Sequence, residues 1–195
     1  MIGGAVRVYI LIMGGIWALW LVSWLVAAIW ASKAAQRPPL RDELPYRALH
    51  IVGALLLIAN FQLPRFSFGW GEPDWVSILL LCLQAAGFAF AWWARIHLGT
   101  LWSGQVTRKA DHRVVETGPY GIVRHPIYTG ILLSFFASLL LRPGWLGLAA
   151  AVVMTASFVV KLRLEERFLS AELGAEAYAA YRRRVPMLVP FWPVR

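Results

Sequence analysis

Five apolar runs, separated by short stretches rich in proline, glycine and cations, set what this chain can fold into. The first extends from about Ala5 to Ala31, and the second from Ala48 to Leu63, stopped by Pro64. The third spans Trp75 to about Ile96. The fourth, Ile127 to Leu141, ends at Arg142-Pro143-Gly144, and the fifth covers Trp145 to Val160. A helix needs about 20 apolar residues to cross the hydrocarbon core of a bilayer; the first and third runs supply them, and the other three are shorter. Arg142-Pro143-Gly144 is too tight a connector for anything but a helical hairpin between the last two.

Composition supports a membrane setting. Of 195 residues 59% are hydrophobic and only 15% charged, with 11 tryptophans, and the mean hydropathy is +0.61. A soluble domain of this length could not cover so much apolar surface with so few charges. The net charge of +9 does not call for nucleic acid, since cations between apolar spans equally face anionic headgroups. Cys82 is the lone cysteine and lies in an apolar run, so neither an internal disulfide nor a multi-cysteine metal site is expected. It reads as packing or lipid contact. The four histidines lack the spacing of a metal motif. No glycine-rich phosphate loop or nucleophile elbow is present. The first run has no short apolar core with a small-residue cleavage site, and is read as a retained span.

The cations set a topology. Between the first two runs lie Lys33, Arg37, Arg41 and Arg47. Between the third and fourth lie Arg95, Arg108, Lys109, Arg113 and Arg124, and after the fifth come Lys161, Arg163, Arg167, Arg182, Arg183, Arg184 and Arg195. Sixteen of the 19 basic residues thus fall on one side of a five-span arrangement; Arg7, Arg65 and Arg142 fall on the other. The positive-inside rule then puts the N-terminus outside and the C-terminal tail in the cytoplasm. The expected fold is an all-α integral membrane protein: five transmembrane helices with a polar cytoplasmic loop and a C-terminal helix. Residues 1–97 hold spans one to three, and residues 98–195 hold the loop, the last two spans and the C-terminal helix, with the two polar segments where a soluble cosubstrate could be gripped. The pattern after Glu165 suggests that span five continues as an amphipathic helix, with Leu164, Phe168 and Tyr178 as apolar contacts.

Chemistry-bearing residues collect in two places. Gly118-Pro119-Tyr120 and Arg124-His125-Pro126-Ile127-Tyr128-Thr129-Gly130 stand just before an apolar run. Polar and ionisable groups at that depth are expensive, which points to a site. Pro126 holds His125 out of the helical region and fits the first helical turn. Exposed amides there, with Arg124 and His125, suit a carboxylate-bearing ligand. The same residues would equally serve as an interfacial anchor. Upstream, Val114-Val115 is a short extended run whose backbone could hold the edge of a planar base, or simply part of a connecting loop. The second place is Glu165-Glu166, after Lys161 and Arg163: either a solvated ion-paired face or a carboxylate for a cationic ligand. His50 and His97 read as interfacial, without a role. Gly14-Gly15 and Ala85-Ala86-Gly87 read as close helix packing.

In combination, Leu98-Gly99, Trp102-Ser103, Gln105, His112, Gly118-Pro119-Tyr120, Arg124-His125-Pro126, Tyr128, Gly130, Glu165-Glu166, Leu169, Gly174, Tyr178, Tyr181 and Val185-Pro186 resemble the isoprenylcysteine carboxyl methyltransferase family and the related phospholipid methyltransferases. The likeness covers roughly Leu98 to Pro186. It implies an integral membrane enzyme that uses S-adenosylmethionine without a Rossmann fold. It also implies that Gln105, His112, Arg113, Val114, Val115, Tyr120, His125, Pro126, Ile127 and Tyr128 hold the cofactor, with Glu165 at its cationic end and Glu166 as the adjacent alternative. The family's substrate-facing basic residue, four positions before that glutamate, is Lys161 here, where the eukaryotic relatives carry Arg; a lysine lacks the two-pronged grip of a guanidinium on a carboxylate. A lipophilic acceptor would enter from the bilayer, with Arg124 or Lys161 orienting a carboxylate, or Glu166 or Glu165 taking a proton from an amine. The implied partners are a lipophilic small molecule or lipid and the bilayer, with no nucleic acid and no metal.

Overall fold

The computed structural model describes residues 4–30, 38–63, 73–102, 115–173 and 175–193. Six α-helices organise them: α1 (Gly4–Ala27), α2 (Leu40–Gln62), α3 (Asp74–Leu98), α4 (Pro126–Leu141), α5 (Trp145–Leu173) and α6 (Ala175–Arg184). No β-strand occurs among the described residues. Four helices, α1, α2, α3 and α5, are long and apolar enough to cross a membrane, while α4 has 16 residues. Their outward faces are apolar, as Leu11, Leu19, Leu25, Ile51, Leu55 and Val152 show, and Cys82 is exposed on α3.

One helix boundary differs from expectation, and another follows the expected extension. The second helix begins at Leu40, eight residues before Ala48, and runs through Pro45. Its first turns carry Arg41, Asp42 and Glu43, which mask the helix in a hydropathy reading yet suit a helix N-terminus. Glu43 is buried and accepts a 2.5 Å hydrogen bond from Arg47 one turn on. The fifth helix does not stop at Val160 but continues thirteen residues to Leu173, in line with the expected amphipathic extension.

Packing does not follow chain adjacency. α4 and α5 are joined by the tight Arg142-Pro143-Gly144 connector, yet α4 packs chiefly along α3 and α5 along α2. The α3–α4 contact is close because Gly87 faces Gly130. A Cβ on Gly87 would come within 2.6 Å of the Gly130 carbonyl, and one on Gly130 within 2.8 Å of the Ala91 nitrogen. Ser134 Oγ adds a 2.7 Å bond to the Gln84 carbonyl across this seam. Gly14 and Gly15 do not pack: nothing lies within 4 Å of where their Cβ atoms would be. They sit on an exposed face of α1, so the expectation of close packing there is corrected.

Buried polar groups tie the helices together, since an unpaired one would be costly in an apolar bundle. Gln84 Nε2 donates to the Met13 carbonyl and Trp92 Nε1 to Ser23 Oγ, so α1 and α3 run in the same direction. Asn60 bridges the Arg142 carbonyl and the Gly147 amide at 3.0 and 2.9 Å, and Ser157 Oγ donates to the Tyr46 carbonyl, so α2 and α5 are antiparallel. These pairings gather the N-terminal ends of α2 and α4 and the C-terminal portions of α1, α3 and α5 at one end of the bundle. Phe135, Leu139, Ala150, Met154 and Phe158 fill the core between α4 and α5.

Candidate active site

Two turns shape the end of the bundle where the charges collect. Gly99 (φ 57°) ends α3, and Gly118 (φ 59°) opens the Gly118–Gly121 turn. Both positions need the left-handed backbone that glycine adopts without penalty. Gly118 has a second reason: a Cβ there would lie 2.8 Å from the His97 ring. That ring stacks on Tyr120 at 6.3 Å, and its Nε2 lies 2.8 Å from Thr117 Oγ1. After the turn, His125 lies outside the helical region (φ −126°, ψ 63°) and Pro126 takes the first position of α4, as the sequence pattern requires.

The C-terminal segment closes over this junction. The Arg124 and His125 amides donate to the Pro186 and Met187 carbonyls at 2.8 and 3.1 Å, and Thr129 Oγ1 donates to the Leu188 carbonyl at 2.7 Å. Tyr181 of α6 donates its hydroxyl to the Tyr120 carbonyl at 2.7 Å. Burial raises the Tyr120, Tyr178 and Tyr181 phenols above their ordinary range, so Tyr181 remains a hydrogen-bond donor throughout neutral pH.

The charged residues then meet in two adjoining groups. In one, buried Arg124 donates from Nε to Glu166 Oε1 at 2.8 Å and from Nη1 to the Arg182 and Val185 carbonyls. Arg182 Nε lies 3.4 Å from Glu166 Oε2. In the other, the Tyr128 hydroxyl donates to Glu165 Oε1 at 2.6 Å and Lys161 Nζ lies 3.9 Å from the same oxygen. His125 stands between the groups, Nε2 at 3.3 Å from Glu166 and Nδ1 at 3.8 Å from Glu165. Residues some forty positions apart are thus joined directly.

Among the expected site residues, Tyr120, Arg124, His125, Pro126, Ile127, Tyr128, Lys161, Glu165 and Glu166 gather here. Val115 packs against the cluster of Ala94, Trp102, Tyr120 and Ile127. Gln105, His112, Arg113 and Val114 lie outside the described residues. Others join that were given no role. Tyr46 places its ring 5.5 Å from Lys161 Nζ, alongside the 5.2 Å approach of the already expected Tyr128, a cation–π arrangement. His50, 3.1 Å from Ser157 Oγ, rests edge-on against Phe158. Arg95 is buried over the Trp102 ring at 4.3 Å. Tyr46 and His50 are one turn apart, a spacing that would have marked them once α2 was known to start before them.

Residues 78–171 match the model of the isoprenylcysteine carboxyl methyltransferase family. Over 71 residues the chain is 54% identical to methanethiol S-methyltransferase 2 of Bradyrhizobium diazoefficiens, covering 36% of this chain and 26% of that protein. Over 148 residues it is 30% identical to the cobalt-zinc-cadmium resistance protein CzcN of Cupriavidus metallidurans, covering 72% and 64%. The solved structure of the eukaryotic intramembrane Ras methyltransferase ICMT superimposes with a TM-score of 0.56 at 22% identity, over 75% of this chain and 52% of that one, so the fold is shared. The chain therefore spans only part of each of these proteins. Residues 78–171, which hold all but the C-terminal flank of the charged cluster, are thus the part of the chain that is similar to the isoprenylcysteine carboxyl methyltransferase family.

Proposed function

We propose that this protein is an integral membrane methyltransferase that uses S-adenosylmethionine to methylate a lipophilic acceptor. The observation that carries this reading is the junction of residues 120–128 with residues 161–166, where Tyr128 and His125 converge on Glu165. The donor set fits the cofactor. S-adenosylmethionine combines a sulfonium, an ammonium, a carboxylate and a purine; when bound, it supplies a methyl group on a positively charged sulfur. Glu165, held by the Tyr128 hydroxyl, offers negative charge in a mostly buried setting. Arg95 Nε is buried with no hydrogen-bond acceptor among the described residues, leaving a cationic donor for an anion.

The chain's own work is then to bind, orient and exclude water, which suffices for an in-line methyl transfer. Glu165, Tyr128 and His125 face the cofactor, with Gln105 and His112–Val115 assigned to it by the family pattern. Lys161, between the Tyr46 and Tyr128 rings, orients an anionic acceptor such as a carboxylate or thiolate. The Arg124–Glu166 pair clamps the C-terminal segment over the site. For an amine acceptor, Glu165 is the group to take the proton, because Glu166 is already held by two guanidinium groups.

In this reading all five helices α1 to α5 cross the bilayer, with the N-terminus outside, the C-terminal tail in the cytoplasm and residues 98–195 as the catalytic region. Alternation of helix direction and the gathering of cations at the site end of the bundle support it. Methanethiol methyltransferase similarity favours a thiol as the second acceptor to try, after an isoprenylcysteine carboxylate. The test supplies purified protein in lipid nanodiscs with methyl-labelled S-adenosylmethionine and, separately, a prenylcysteine, a small thiol and a phosphatidylethanolamine. Label transfer to one of them is expected; transfer to none, with folded protein, refutes the proposal.

A further inference from the structure

One demanding charge lies outside the Glu165–Glu166 cluster. Arg95, in the last turn of α3, is 1% exposed. Its Nη1 donates to the Gly99 carbonyl at 2.7 Å and its Nη2 to the Ala27 carbonyl at 2.8 Å, while the guanidinium lies over Trp102. Among the described residues its Nε has no acceptor and no carboxylate pairs with it. Two carbonyls and an indole face offset part of the cost of burying a cation, but they supply no opposite charge. The unused Nε edge of a guanidinium is the geometry that takes a carboxylate side-on.

Location says which carboxylate. Arg95 adjoins Ala94 in the cluster formed by Trp102, Tyr120 and Ile127, beneath the turn expected to touch the cofactor. The other cation considered for a carboxylate, Arg124, already serves Glu166 and two backbone carbonyls. His125 stands within 3.3 and 3.8 Å of two glutamates, a setting that repels a third carboxylate. Building on the methyltransferase reading above, we infer that Arg95 is a cofactor-binding residue that receives the amino-acid carboxylate of S-adenosylmethionine. The cationic end of the same molecule then lies toward Glu165, so one ligand would supply the carboxylate that Arg95 lacks and a cation for Glu165.

A ligand-side comparison tests this. Affinities of S-adenosylmethionine and its decarboxylated analogue are measured by calorimetry on the full chain in nanodiscs, for wild type, Arg95→Gln and Arg95→Lys. Wild type is expected to prefer the carboxylate-bearing form by roughly 10- to 100-fold, the scale of a charge-assisted pair. Arg95→Gln should bring that ratio close to one, and Arg95→Lys should retain an intermediate preference. A purely structural role would weaken both ligands alike and leave the ratio intact, which overturns the assignment. Should the variants not fold, a wild-type structure with S-adenosylhomocysteine decides: a carboxylate against the Arg95 guanidinium is expected, and one bound elsewhere overturns it. Binding of neither compound by folded wild type sinks the methyltransferase reading, and this assignment with it; binding with a ratio that ignores Arg95 sinks the assignment alone.

Discussion

Substituting alanine at Gly130 and, separately, at Gly14 asks whether the α3–α4 seam is as tight as the packing indicates. At Gly130 the new methyl would meet the Gly87 carbonyl oxygen, the Ala91 nitrogen at 2.8 Å and the Ala91 Cβ at 3.1 Å. Two of these three are backbone atoms, so no side-chain rotation relieves the clash and the helices must move apart. Overpacking of this kind costs about 1–3 kcal/mol. The intrinsic helix preference of alanine over glycine returns just under 1 kcal/mol. At Gly14 nothing lies within 4 Å, so only that helix gain remains. Taking about 1 kcal/mol as the net loss for Gly130→Ala, a chain of this size should melt roughly 2–4 °C lower. Gly14→Ala should melt at or slightly above the wild-type midpoint. Thermal unfolding of the three proteins in one detergent, followed by tryptophan fluorescence, makes the comparison. Equal midpoints for the two variants would refute the seam.

Other consequences follow from the clustered charges. Arg124→Met leaves Glu166 buried beside His125 without its main partner and frees two carbonyls, a loss of about 3–5 kcal/mol. The double variant with Glu166→Gln should recover much of it, which denaturation of the single and double variants will show. The Tyr178 and Tyr181 phenols are raised by burial. Their contribution to stability is therefore complete below the unfolded-state value of about 10 and is lost as pH climbs beyond it. Hydrogen exchange in α6 should accelerate above that pH in wild type, and less so in Tyr178→Phe/Tyr181→Phe. An equal acceleration in both proteins would contradict the assignment of those phenols to the fold's alkaline limit.

The apolar runs were readable because hydrocarbon-facing helices must be apolar along most of their length, and α1 and α3 are. The start of α2 was not, because Arg41, Asp42, Glu43 and Pro45 resemble a loop until the Glu43–Arg47 bond and the Tyr46 contact with α5 are seen. Helix pairing was hidden for a different reason. A three-residue connector suggests that α4 and α5 lie side by side, whereas the Gly87–Gly130 approach and the Asn60 bridge draw each to another partner. Within the site, Arg124-His125-Pro126 and Glu165-Glu166 stood out as dense polar clusters beside apolar runs. Arg95 did not. It counted as one more headgroup cation, and only the packing of Ala27, Gly99 and Trp102 around it reveals a buried charge. His97 and Tyr46 act through ring faces, which leave no spacing signature of their own.

Isothermal titration of S-adenosylmethionine into wild-type protein and into Glu165→Gln tests the central claim most directly. Saturable binding by wild type is expected, together with a loss of roughly tenfold or more in the variant, since one charge-assisted contact to a buried carboxylate is removed. Indistinguishable affinities in the two folded proteins, or no binding by either, would contradict it.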